Sequence, residues 1–480
     1  MTAQITNLIN GRRIAPAGPE RYRAINPARL DEALSDYAFS TAADVDAAVA
    51  AASGAKRTWR ETSAIARGEI VAKAGQILRA RAKDLGALMT LEMGKPIGEA
   101  IAEVDYAGKV LQFYAAEAQR PTGETLQSGR PNVHYYTTRE PIGVVGAITP
   151  WNFPFSIACW KLGPALVTGN TVVWKPAPHH PLCSQAIIEA LLEAGLPDGV
   201  VNLVHGGAEV GGAIVSHPDV AGVSFTGSTA VGQALYRAVS QRLGRAQCEM
   251  GGKNALYIHT AADLDKAVTL AVEGAFRSAG QKCTATSRVL VDAAIRDDFT
   301  SRLLARVAEL KVGDPTDGAT FLGPVVDDRQ FAKVTGAIAA GIAAGANLAA
   351  GGAGRAVENG FFIAPTVFDG VGIADPLARD EIFGPVMALV PVENLEGAIA
   401  AVNATDYGLS AGIVTRDLEA AHRFARTVET GVVNVNLPTA GVEMHAPFGG
   451  WKGSGLGLPE QGLKILDFYT KWRSVAMQFA

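Results

Sequence analysis

Beyond residue 140 the chain alternates short apolar runs with helical patterns. Runs at 144–148, 171–174, 200–204 and 222–226 have strand length, and helical patterns such as 184–194 and 208–216 separate them. Strands and helices alternating at this spacing predict right-handed crossovers and a parallel sheet. A second series of the same kind occupies about 249–438, with strands at 255–259, 289–292, 386–390, 411–415 and 432–436. The opening third is expected to be mainly helical. Thr41-Ala42-Ala43-Asp44 predicts a capping box before an alanine-rich helix to about Trp59. A longer amphipathic pattern runs from 64 to 91. Segments 132–139 and 468–479 alternate as strands do and fit neither series. From 334 to 354 there are 21 residues without a charge, mostly Ala and Gly. Such residues gain little from lipid, so an Ala-rich helix ending in a glycine turn is expected rather than a membrane span.

A chain of 480 residues exceeds one ordinary core, and two or three domains are expected. Hydrophobic residues at 48% and charged residues at 19% place it among folded globular proteins. The net charge of −4 comes without a basic block, which argues against nucleic acid as a dedicated partner. Cys159, Cys183, Cys248 and Cys283 form no CxxC pair and no Cys/His cluster, so neither a disulfide framework nor a metal site is expected. Residues 1–14 lack the apolar core of a signal peptide, and a cytoplasmic location follows as an expectation.

Three residues carry candidate chemistry. Cys283 sits in Gly-Gln-Lys-Cys-Thr-Ala (280–285), between a glycine turn and small residues that let a substrate approach. Glu249, in Cys-Glu-Met-Gly-Gly-Lys-Asn (248–254), is a base able to hydrolyse the thioester such a thiol would form. Asn152, in Pro150-Trp151-Asn152-Phe153-Pro154, offers an amide to an oxyanion. Taken singly, a cysteine is usually a small buried hydrophobe and a glutamate usually solvated surface. Their occurrence together and in order is what points to catalysis. Phe225-Thr226-Gly227-Ser228-Thr229-Ala230-Val231-Gly232 adds a glycine turn between a strand and a helix with apolar residues at 231, 235, 238/239 and 243. The N-terminus of that helix suits a pyrophosphate, although G-x-x-x-x-G alone is a weak signal.

Together these motifs resemble the NAD(P)-dependent aldehyde dehydrogenase superfamily, from about residue 5 to the C-terminus. The resemblance implies an α/β aldehyde dehydrogenase fold: a Rossmann-like cofactor domain (1–118 and 140–248), an α/β catalytic domain (249–440) and a small β oligomerisation segment (119–139 and 465–480). It implies a homodimer or homotetramer acting on a small aldehyde. Cys283 becomes the nucleophile, Asn152 and the Cys283 N–H the oxyanion donors, and Glu249 the deacylating base. A base at 249 favours hydrolysis to a free acid over acyl transfer to coenzyme A. The implied cofactor contacts are Thr149, Pro150, Trp151, Lys175, Ala177, Pro178, Gly207, Gly211, Phe225, Thr226, Gly227, Ser228, Val231, Gly232, Met250, Gly251, Glu381 and Phe383. Many NAD-preferring members carry a Glu where this chain has Pro178, so NADP is expected to be accepted beside NAD. Either His179 or His180 is a candidate to add positive character there. A cysteine hydrolase would need a histidine partner that these motifs lack, and an inactive homologue would be expected to lose one of the three residues.

The segments 113–118, 436–445 and 446–450 resemble 2-oxoglutarate semialdehyde (2,5-dioxopentanoate) dehydrogenases, with succinate semialdehyde dehydrogenases next. Both groups act on a short aldehyde with a distal carboxylate, which arginine can hold. By that resemblance Arg277, Trp160 and His445 are the expected substrate contacts. Where succinate semialdehyde enzymes place a second arginine, this chain has Trp160 followed by Lys161. A broader aldehyde specificity stays open.

Overall fold

The computed structural model describes residues 4–120, 122–352, 354, 356–441 and 443–479. Ala353 and Val442, within segments named above, lie outside the described residues. Two sheets dominate. The first has eight strands, in the spatial order Arg12–Ile14, Asn7–Ile9, Val201–Leu203, Thr171–Lys175, Val144–Ile148, Val220–Thr226, Arg245–Glu249 and Gly455–Leu456. The central five are parallel, and short antiparallel strands close both edges. Strand order reverses at the Val144–Ile148 strand, since its two neighbours continue in opposite directions along the sequence. Ligands of open α/β sheets bind in the crevice outside the strand C-termini at such a point.

The second sheet has seven strands, in the order Asn347–Ala350, Thr366–Asp369, Val386–Val392, Thr286–Asp292, Asn254–Ile258, Ser410–Val414 and Val432–Val435, parallel except for the first. The chain leaves the first sheet at Glu249 and enters the second at Asn254, so Met250–Lys253 is the crossing. The C-terminal edge of one parallel sheet therefore connects directly to the N-terminal edge of the other. Cys283 precedes the Thr286–Asp292 strand and Glu381 precedes the Val386–Val392 strand, which places both on that N-terminal edge.

Thr41 and Asp44 form the expected capping box, and the helix they start runs Ala42–Glu61. The pattern at 64–91 is two helices, Ala64–Ala80 and Ala82–Met93, broken at Arg81 (φ −101°, ψ 14°). The first of these crosses Ile97–Glu117 where a Cβ on Gly75 would lie 2.5 Å from the Gly108 carbonyl oxygen, so both helices need their glycines at this contact. The opening segment departs from a mainly helical expectation. Asn7–Ile9, Arg12–Ile14, Arg21–Asn26 and Arg29–Ala38 are strands. The first two are three residues long, too short to show a period, and the pairing of the other two is interrupted by register shifts at Ile25. The uncharged stretch forms the end of the helix Asp328–Ala343, a turn at Gly345 and the strand Asn347–Ala350. No helix among the described residues is long and apolar enough to cross a membrane. Segment Thr470–Gln478 pairs antiparallel with Val133–Pro141 in a separate three-stranded sheet.

Candidate active site

Five connections that leave strands of the first sheet or enter strands of the second meet in one cleft. Thr149 to Asn152 follow the Val144–Ile148 strand, Gly227 and Ser228 follow Val220–Thr226, and Met250 and Gly251 follow Arg245–Glu249. From the other side come Cys283 and the pair Glu381 and Phe383. Pro150, Trp151, Asn152, Thr226, Gly227, Ser228, Met250, Gly251, Cys283, Glu381 and Phe383 line one cavity of about 180 Å³. The sequence motifs thus converge from over 200 residues of chain onto one surface.

The cleft fits a dinucleotide. Ser228 caps the helix Thr229–Gln241 without any side-chain capping bond, so the first N–H groups are left for an anion. A Cβ on Gly232 would lie 2.4 Å from Met250 Sδ, so Met250 would have to move. A Cβ on Gly251 would lie 2.3 Å from Glu381 Oε2 and would push that carboxylate off the Gly252 N–H, which holds it at 3.0 Å. Burial raises the Glu381 carboxyl above its usual range. Phe383 adopts φ 60°, a left-handed conformation that costs a non-glycine residue about 1–3 kcal/mol and presents its ring edge-on to Trp151 at 5.5 Å. Gln330 holds the strained loop by donating to the Phe383 carbonyl at 2.7 Å.

A second cluster lies at the end of the Thr171–Lys175 strand, outside that cavity. Thr149 accepts a hydrogen bond from the Trp174 indole at 3.0 Å. The Lys175 arm runs past Gly211, whose Cβ would lie 3.6 Å from it, and its amine bonds the Gly206 carbonyl at 2.8 Å. Burial pushes the Lys175 amine down to about 8. Gly207 starts the helix Ala208–Ser216 without a side-chain cap, Ala177 is buried, and Pro178 accepts the Tyr37 hydroxyl at 2.9 Å.

Two expectations fail here. His180 is buried beneath Pro150, whose carbonyl it meets at 3.1 Å, and burial drives its imidazole down to about 3, so it stays neutral. His179 is paired with Asp327 at 3.0 Å. Neither presents a free cation. The apolar face of the Thr229–Gln241 helix is Gly232, Leu235 and Val239, while Val231 is 54% exposed and does not line the cavity, and Leu243 lies past the helix end with φ 60°.

The loop that carries the thiol is braced from both sides. Of the four cysteines, only Cys283 keeps part of its surface open. It follows three left-handed residues in a row, Ser278 (φ 55°), Ala279 (φ 53°) and Gly280 (φ 69°). Glu99 stabilises this turn by accepting the Ser278 hydroxyl at 2.6 Å and its N–H at 3.3 Å. Gly280 is obligatory, since a Cβ would lie 2.1 Å from the Gly384 carbonyl oxygen. Asn254 clamps the far side, donating to the carbonyls of Cys283 at 2.7 Å and Ala285 at 2.9 Å. Burial pushes the thiol well up, and Glu249 and Glu381 push it further, while the N–H groups of Thr284 and Cys283 oppose them. The resting group is a thiol, and a base must take its proton.

Asn152 Nδ2 donates to the Gln281 carbonyl at 2.9 Å, which aims the amide across the Cys283 loop and leaves its second proton for a reacting oxygen. Its backbone is held in turn by Lys95, which donates to the Asn152 carbonyl at 2.8 Å, pairs with Glu103 and covers the Phe153 ring. Glu103 also accepts the N–H groups of Phe155 and Ser156. Sequence reasoning missed this buried pair. A signal existed, because Glu103 lies on the same helical face as Ala100, Val104 and Ala107.

Glu249 is buried, and one carboxyl oxygen has no hydrogen-bond partner. Burial raises its proton affinity strongly, and Glu460 raises it more, against the pull of Lys161. Lys161 donates to Glu460 at 2.7 Å and Ser224 at 2.9 Å, and Glu460 accepts Thr226 at 3.1 Å. Lys161 therefore turns away from any substrate. This carboxyl pair with one shared cation can hold and pass a proton behind the thiol.

A second cavity of about 470 Å³ lies on the other face of Cys283, walled by Tyr106, Phe153, Trp160, Lys282, Phe448 and others. Cys283 and Ile157 line both cavities. Of the three expected substrate contacts, Trp160 is in place. Arg277 is not among the lining residues; its guanidinium lies over the Phe321 ring at 4.2 Å, with Glu99 at 3.9 Å and Glu273 at 4.0 Å. The left-handed turn beginning at Ser278 redirects the chain between Arg277 and the thiol. His445 is exposed and does not line the cavity.

Comparison with known proteins gives the family and the fold. The model of the aldehyde dehydrogenase family matches residues 14–475. A 2,5-dioxopentanoate dehydrogenase of Saccharolobus solfataricus is 46% identical, over 95% of this chain and 96% of its own. An alpha-ketoglutaric semialdehyde dehydrogenase of Bacillus subtilis is 40% identical over 98% and 97%. The crystal structure of Staphylococcus aureus betaine aldehyde dehydrogenase in complex with NAD+ superposes with a TM-score of 0.95 at 32% identity, covering 99% of this chain and 95% of that one.

Proposed function

The chain belongs to the aldehyde dehydrogenase family, NAD(P)-dependent enzymes that oxidise an aldehyde, and we propose that its substrate is 2-oxoglutarate semialdehyde. The observation that carries this is Cys283 standing between two cavities, with the phosphate-ready helix on one side and an aromatic-walled chamber on the other. The two relatives named above support the substrate.

In the proposed reaction the Cys283 thiol gives its proton to solvent water and its sulfur adds to the aldehyde carbon. Asn152 Nδ2 and the Cys283 N–H receive the negative oxygen; one such donor is worth about 3–4 kcal/mol of barrier. The nicotinamide, when bound, supplies the hydride acceptor that turns the thiohemiacetal into a thioester. Thr226, Ser228, Gly251, Glu381 and Phe383 hold and orient the cofactor, and Phe383 with Trp151 excludes water beside it. Glu249 then takes a proton from water, which attacks the thioester carbon; the acid leaves and Cys283 regains its thiol. The high proton affinity of Glu249 makes it a stronger base once ionised.

Pro178 supports acceptance of NADP as well as NAD, since no carboxylate stands at that position to repel a 2′-phosphate. On this reading 1–118 and 140–248 form the cofactor domain and 249–440 the catalytic domain, with 119–139 and 465–480 joining subunits of a cytoplasmic homodimer or homotetramer. The strand Thr470–Gln478 supports the last point: it is an edge strand and exposes Trp472, Met477 and neighbouring Phe479. The test is a panel of 2-oxoglutarate semialdehyde, succinate semialdehyde, propanal and benzaldehyde, each with NAD and NADP, followed at 340 nm. The highest kcat/KM belongs to 2-oxoglutarate semialdehyde; a preference for the uncharged aldehydes would overturn the substrate assignment.

A further inference from the structure

The expected contacts Arg277 and His445 lie outside the chamber and Lys161 is buried in its pair with Glu460, so none of them meets a distal carboxylate. The chamber supplies another. Its lining includes three charged side chains, Glu99, Glu103 and Lys282. Glu103 is neutralised by Lys95 and by two backbone N–H groups. Glu99 is engaged by Ser278 and faces Arg277 at 3.9 Å. Lys282 alone of the three has no hydrogen bond or ion pair among the described residues, yet it is largely enclosed.

We propose that Lys282 selects the substrate by pairing its ammonium with the distal carboxylate of the semialdehyde acid bound at Cys283. This inference rests on the semialdehyde reading above and names the residue that would enforce it. The neighbouring Cα atoms of Lys282 and Cys283 are about 3.8 Å apart. A flexible four-carbon arm from one and a five-carbon acid held on the other have matching reach. The aromatic walls shed water from the aliphatic part of such a substrate, which strengthens a charge pair formed at its end. Cys283 holds one end and Lys282 the other, so an aldehyde without a carboxylate gains nothing from the lysine.

Burial also pulls the Lys282 amine down to about 8. The charged groups facing it are Glu99, which favours its charge, Lys95 and Arg277, which oppose it, and Glu273, which favours it. Recognition of the carboxylate is therefore present below about pH 8 and is lost as the amine deprotonates above it, whereas propanal is indifferent to this group.

The test compares wild type with Lys282→Met, Lys282→Gln, Lys282→Arg and Arg277→Met on 2-oxoglutarate semialdehyde and propanal. Removing a hydrogen bond to a charged group predicts that the Met and Gln variants raise KM for the semialdehyde acid roughly 10- to 100-fold, with kcat nearly kept and propanal kinetics unchanged. Lys282→Arg restores part of the affinity, and Arg277→Met does not change the preference between the two aldehydes. Propanal activity reports that each variant is folded. Unaltered preference for the acid in both Lys282→Met and Lys282→Gln, or equal losses on both aldehydes, overturns the role of Lys282 while leaving the substrate assignment standing. A wild type without preference for the acid overturns the assignment itself.

Discussion

The two cavities that meet at Cys283 are built from different materials. The cofactor side consists of strand ends: Thr149–Asn152, Thr226–Ser228 and Met250–Gly251 are fixed by the register of one parallel sheet. Its recognition elements are backbone N–H groups and glycines with no room for a Cβ. The substrate side is assembled from side chains on separate elements: Tyr106 from Ile97–Glu117, Trp160 from Ser156–Val167, Lys282 from the cysteine loop and Phe448 from a late loop. Backbone recognition resists point substitution, because every residue type carries the same N–H. Side-chain recognition changes with single residues. Within this family, cofactor use should therefore be the stable property and substrate choice the variable one.

Substitutions can break this comparison at several levels. The largest effect belongs to the point the cavities share: Cys283→Ala should lower aldehyde oxidation on the order of 10⁴-fold or more, with cofactor affinity unchanged by fluorescence titration. Residual oxidation near the wild-type rate would show that another group is the nucleophile. Asn152→Ala should lower kcat about 10²- to 10³-fold while binding of an unreactive substrate analogue stays the same.

Glu103→Ala leaves Lys95 as an uncompensated buried charge beneath the Asn152 loop, and should cost about 3–5 kcal/mol of unfolding free energy by urea titration. A loss under about 1 kcal/mol would mean that the pair is not a main support of the loop. A subtler effect concerns pH. Glu249 acts when ionised, and burial together with the neighbouring Glu460 holds its proton affinity up, so deacylation should rise with pH through a limb well above the ordinary carboxylate range. Glu460→Gln removes that repulsion and should move the limb to lower pH in single-turnover measurements; movement to higher pH would contradict the coupling. The smallest change is expected on the cofactor side: Pro178→Glu should shift the NADP-to-NAD ratio of kcat/KM towards NAD by roughly 10-fold, about 1.4 kcal/mol.

The same difference in construction governed what the sequence disclosed. Apolar runs such as 144–148 and 411–415 find their strands to within a residue, because a buried parallel strand has little room for polar side chains. Cys283, Glu249 and Asn152 were legible as motifs, since each needs its neighbours in sequence: Gly280 for the turn, Gly251 for Glu381, Phe153 and Pro154 for the loop. What escaped depends on direction in space. Arg277 lies six residues from the thiol, yet the three left-handed residues after it turn it outward. Lys161 follows Trp160 directly, and one step along a helix points it at Glu460 instead of the chamber. Lys95 and Glu103 look like surface charges until the segment Asn152–Ser156 folds over them.

The account stands on Cys283 carrying the acyl group and Glu249 removing it. Glu249→Gln, mixed with 2-oxoglutarate semialdehyde and NADP and quenched within one turnover, tests both together. The predicted result is a burst of one reduced cofactor per active site, followed by slow turnover, with a thioester mass increment on the peptide containing Cys283. Steady turnover without a burst, or an adduct on any other residue, would contradict it.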